Sequence, residues 1–122
     1  MANDFKRFAV NNVNTSTGAS ATTVYTVPAG AGSSALESIV IGITLSNTTT
    51  TGITASVFLD NNSGSNDFHI VKNATIPAGS SLEVMAGNKL VLQNTGSAGD
   101  ILKVSAGTAS ACDVIVSVLE DV

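Results

Sequence analysis

Apolar residues in this 122-residue chain fall almost entirely in short runs that alternate at period two, and clusters of Gly, Asn, Ser and Thr separate each run from the next. Strands joined by turns have this pattern, because successive side chains of a strand point to opposite faces while Gly, Asn and Ser supply the turn backbone. A helix needs apolar spacings of three and four, and no run shows them convincingly. The clearest run is 36–45, where Ile39, Ile41, Ile43 and Leu45 recur at period two with Ser38, Gly42 and Thr44 mostly opposite, so the isoleucine face is expected to be core. Residues 53–59 repeat the form, with Ile53, Ala55, Val57 and Leu59 on one side. These two runs are expected to pair across residues 47–52. Further strands are expected at 5–10, 23–27, 68–74, 82–85, 89–92, 101–104 and 113–119. About nine short strands predict an all-β antiparallel sandwich or barrel.

An internal echo selects among such architectures. Thr26-Val27-Pro28-Ala29-Gly30 is matched 49 positions later by Thr75-Ile76-Pro77-Ala78-Gly79, and each copy is followed by Ser-Ser and then Leu-Glu. The copies hold both prolines of the chain, placed where a strand ends and cannot donate another ladder bond. Both read as sandwich corners. Two Greek-key halves with equivalent corners make a jelly roll, so the expected fold is jelly-roll-like with eight or nine strands, preferred over an immunoglobulin-like sandwich. Residues 1–20 are expected to be an N-terminal arm and flexible tract, and 21–122 a single sandwich domain.

Composition narrows the function classes. Ser, Thr and Gly fill 40 positions and charged residues only 14, which makes a neutral, hydroxyl-rich surface. A net charge of -4 has the wrong sign for gripping a phosphate backbone, so nucleic acid is not an expected partner. No apolar run approaches the roughly 18 residues that span a bilayer, and the N-terminal apolar stretch is too short for a signal peptide, so neither a membrane nor that export route is expected. One cysteine, Cys112, leaves no internal disulfide.

Chemical sites are weighed residue by residue. A nucleophile needs a base in reach, and the only imidazole, His69, and the only thiol, Cys112, each sit in a predicted strand without a partner in sequence. No catalytic residue, metal ligand or cofactor is therefore expected. Residues 60–67 are rich in oxygen ligands, but glycine takes the fifth position and Val71 the twelfth, so a hairpin connection is preferred over calcium. The run 113–119 is apolar on both faces, Val114, Val116 and Val118 on one and Ile115 and Leu119 on the other. Either another segment covers its outer face or that face meets another subunit. Val114, Ile115, Val116 and Leu119 are the candidate oligomer contacts. Phe5, Lys6, Arg7 and Phe8 lie in the one locally basic stretch and are the candidate contacts of an arm that docks elsewhere.

Residues 72–83, 89–92, 99–104 and the ending 114–120 resemble small virion proteins of tailed bacteriophages, including cyanophages; residues 25–47 do so more loosely. The resemblance implies a compact all-β module of the particle with no catalytic residues to carry over. The expected function is a decoration or cement protein on the outer capsid surface, made in the host cytoplasm, bound to the major capsid protein and assembled as a homotrimer. The alternative is a tail, neck or fibre component that binds a host glycan.

Overall fold

The computed structural model describes residues 3–61, 66–85 and 89–121. Their strands are β1 (Asn3–Val10), β2 (Thr22–Thr26), β3 (Leu36–Asn47), β4 (Ile53–Asn61), β5 (Asn66–Ile76), β6 (Ser81–Glu83), β7 (Leu90–Asn94), β8 (Ile101–Ala106) and β9 (Cys112–Asp121). The one helical element among the described residues is a 3-10 turn, Gly18–Ser20. Each run read as a strand from its alternation is a strand, with ends shifted by at most two residues. The expected all-β antiparallel sandwich is the fold.

Two sheets form it, β1-β9-β3-β6 with β7 also on β3, and β2-β8-β4-β5. Because β6 and β7 pair with opposite ends of β3, they occupy one strand position in two pieces. Counted so, eight positions pair first with last, second with seventh, third with sixth and fourth with fifth. A long hairpin rolled into two sheets has this pairing, which is the jelly roll. Both copies of the Pro-Ala-Gly echo are corners that carry the chain from the second sheet into the first, between β2 and β3 and between β5 and β6.

Two expectations about β3 are corrected. The turn at 47–52 does not join a β3–β4 hairpin, since β3 and β4 lie in different sheets. Each already has a neighbour on both sides, β9 and β6/β7 for β3, β5 and β8 for β4, so neither offers a free edge. The core face of β3 is also not the single isoleucine face. Leu36, Ser38 and Val40 point inward, then Ile43, Leu45 and Asn47, while Ile39 and Ile41 face out. A β-bulge places Ile41 as an extra residue between Val40, opposite Val118, and Gly42, opposite Ser117. One extra residue switches the inward parity of everything after it.

Residues 3–10 are likewise not a detached arm, because β1 pairs with β9 from Asn3↔Asp121 to Val10↔Val114. Its inward residues belong to the core region: Phe8 packs on Tyr25 with ring centroids 4.6 Å apart, and Val13 just beyond is fully buried. The tract that follows reaches the outward side of the second sheet. There the buried Lys103 Nζ donates to Ala19 O at 2.9 Å and sits 3.4 Å from Asp60 Oδ2. Asn14 closes a local loop, donating to Ser20 O and accepting from Ser16 N.

Between the sheets Val24, Val27, Val40, Ile43, Leu45, Val57, Leu102, Val104, Val116 and Val118 are among the buried apolar residues. One polar cluster interrupts them. Glu120, 1% exposed, accepts from Tyr25 Oη at 2.6 Å, and Ser38 Oγ shares that phenol at 2.6 Å. Its other oxygen has Lys6 Nζ at 2.8 Å, so the buried negative charge is balanced.

Candidate assembly face

The outward side of the first sheet is built by register. Phe5 opposes Leu119, Leu119 opposes Ile39, and Ile39 opposes Val91. Directly opposed residues of antiparallel strands share a face, so these four form one apolar row across β1, β9, β3 and β7. Ile115, opposite Ala9, and the bulged Ile41 widen it. Phe5 is 79% exposed, Val91 54%, Ile115 48% and Ile41 42%, and no described segment covers them. A recess of about 560 Å³ lined by Ala9, Asn11, Asp113 and Ile115 continues the face at one end.

Alternation sorts the candidate contacts. Phe5, Arg7, Ile115 and Leu119 share this outward face, whereas Lys6 and Phe8 turn inward to Glu120 and Tyr25. Val114 and Val116, 1% and 0% exposed, are core and offer no surface to another subunit. The outward members of the two groups, Phe5 and Arg7 from 5–8 and Ile115 and Leu119 from 114–119, therefore lie on one surface. Sequence reading missed Ile39, Ile41 and Val91 as members. The available signal was Gly42, an isolated glycine inside a strand pattern, which marks bulges.

Charges on this face are sparse: Arg7 lies on β1, Asp113 on β9, Glu37 on β3 and Glu83 on β6, and none of them forms an ion pair among the described residues. Lys6, at the inner side of the same border, has its pKa raised above 10.5 by its contact with the Glu120 carboxylate.

The remaining singled-out residues lie elsewhere. His69, opposite Phe58 with ring centroids 5.0 Å apart, borders a groove of about 380 Å³ on the outward side of the second sheet, with Ser56, Asp67, Lys72 and Ser105. Cys112 is fully buried and its thiol pKa is raised, chiefly by burial and further by Asp113. The hairpin expected around 60–67 pairs up to Asn61↔Asn66, and residues 62–65 of the oxygen-rich segment lie outside the described residues. No cluster of three potential metal-binding side chains occurs among the described residues, and no described helix is long and apolar enough to cross a membrane. Comparison of the chain with protein-family models, curated proteins and solved structures found no match.

Proposed function

We propose that this chain is a structural protein of a tailed-phage particle, a decoration or cement protein on the outer capsid that stabilises the shell as a homo-oligomer. The observation that carries the assembly half of this reading is the row Phe5, Leu119, Ile39 and Val91, an apolar strip on a sheet face that another surface must cover to remove it from water. The resemblance of residues 72–83 and 99–104 to small virion proteins supplies the particle half. A net charge of -4 agrees with an outward position, away from packaged DNA. A trimer matches the threefold positions of an icosahedral shell, where several weak contacts act together.

Electron microscopy of the phage that encodes the chain, with and without an added label on it, is the test. Label on the shell, together with particles that break at lower temperature when the protein is missing, is the expected result. Label confined to the tail or fibres would replace this reading with the glycan-binding one, and its absence from particles would remove both.

A further inference from the structure

The groove on the outward side of the second sheet is floored by a cross-strand pair, Ser56 on β4 and Ser105 on β8, with buried Phe58 next along β4. Bulges in β5 build its wall. Asp67 and His69 stand opposite Asp60 and Phe58, but Val71 stands opposite the fully buried Val57, so Ile70 is an extra residue and the parity of β5 reverses there. Lys72, three positions from His69, therefore reaches the face that His69 occupies, where strict alternation would turn it to the core. A second bulge sets Lys72 and Asn73 together opposite Ser56, and Asn73, in left-handed backbone with φ 52°, donates its N–H to Ser56 Oγ at 2.9 Å. The far wall, at Thr17 and Gly18, belongs to the tract that Lys103 ties down through Ala19 O.

The polar groups of this groove lack partners. Ser105 is 7% exposed, lines the groove, and its hydroxyl makes no hydrogen bond to a described residue. Burying a hydroxyl unpaired is unfavourable, so Ser105 points to a ligand that bonds it. Asp67 and Lys72 form no ion pair among the described residues, and the His69 ring is backed by Phe58 at 5.0 Å. Their signs select the ligand. A simple anion would meet Asp67, a cation would meet Lys72, and a small zwitterion would answer both charges but leave Ser105 and the ring unused. A sugar uses all of them, because each of its hydroxyls can donate to a carboxylate or accept from an ammonium while its C–H face lies on an aromatic plate. The groove, about 380 Å³, is in the range of small-molecule sites, about 300–1,000 Å³. We infer that it binds a mono- or disaccharide, the sugar ring against His69 and its hydroxyls between Asp67 at one end and Lys72 with Ser105 at the other. The site lies on the opposite sheet from the assembly face and does not depend on it.

Proton NMR of the purified full chain, titrated with a panel of neutral hexoses, N-acetylhexosamines and their disaccharides, tests it, and the chain's only imidazole supplies the readout. The His69 ring signals should shift saturably with a sugar of the panel and stay in place with inorganic phosphate or glycine. Asp67→Asn and Ser105→Ala should each weaken binding of that sugar by about tenfold, whereas Val91→Ser, on the other sheet, should leave it unchanged. Ser105→Ala should also leave resistance to denaturant unchanged, because the hydroxyl it removes has no partner to lose, and circular dichroism should show every variant folded. A panel that gives no saturable shift, a shift with phosphate or glycine but no sugar, or sugar binding that either groove variant leaves intact would overturn the inference. The titration uses protein free of particles, so its outcome is separate from where labelled chain is found on the phage.

Discussion

Asn94 Nδ2 donates a 2.8 Å hydrogen bond to the carbonyl oxygen of Val27, the residue before the first corner proline. Asn47 does the same at the second corner, donating at 3.0 Å to the carbonyl of Ile76, the equivalent residue before Pro77. Each asparagine is buried at the end of a strand of the first sheet, and each turns its Oδ1 to the backbone N–H two residues on, Thr49 and Gly96. The internal echo is thus a pair of equivalent joints. Each corner that brings the chain across from the second sheet is held by an amide from the first.

Replacing either asparagine should loosen its joint. Asn94→Ala leaves the Val27 carbonyl without its side-chain donor, and we expect a loss of about 1–3 kcal/mol. Asn47→Ala should cost at least as much, because that amide also reaches Thr51 O at 2.8 Å and its Oδ1 accepts from Thr49 Oγ1 at 2.7 Å. Chemical denaturation with an unchanged slope is the check. A shift under half a kcal/mol in both would mean that water replaces these bonds.

Alkaline pH should unfold the protein through the Tyr25 cluster. Burial first, and then the hydrogen bond to Glu120, raises the Tyr25 pKa well above its ordinary 10.0. Lys6 is raised above 10.5 by Glu120. In both cases the folded state holds its proton more tightly than the unfolded chain, so their contribution is complete below about pH 10 and falls as pH rises through the raised values. Cys112, raised above 9.0, acts in the same direction. Thermal midpoints should be level from neutral pH to about 9 and then drop. The single tyrosine makes a direct readout possible: tyrosinate absorbance should appear together with unfolding, not as a separate step near its ordinary value.

Neighbouring residues on β9 should respond in opposite ways. Ile115→Ser changes an outward side chain and should leave monomer stability within about 0.5 kcal/mol while weakening association. Val116→Ser puts a hydroxyl into the core and should cost about 2 kcal/mol or more. Equal destabilisation by both would show that the outward face is packed within the monomer.

Cys112 should resist thiol reagents in the folded protein, since its sulfur is buried and its pKa raised, whereas the nucleophile is the thiolate. Labelling rates should rise with denaturant in step with global unfolding. Fast labelling in buffer would reveal local opening near Ala111 and Cys112.

The features legible before folding are local ones. Period-two alternation marks nine strands because the strand geometry that produces it involves only neighbouring residues. The two Pro-Ala-Gly corners are equally visible, since proline ends a ladder in any context. The alternation of residues 5–8 and 114–119 also contained the division into inward and outward side chains. Which strands pair, and so which of those faces meet, follows from the folded chain alone. It put Leu119 between Phe5 and Ile39, more than 70 positions from either, and made one surface of two. It also decided the parity of β3. The Ile41 bulge shifts the register of β3 against β9 between Val40 and Gly42, so the residues before and after it turn opposite parities inward; Gly42 marks a bulge in the sequence, but which residue is the extra one is read only from the pairing.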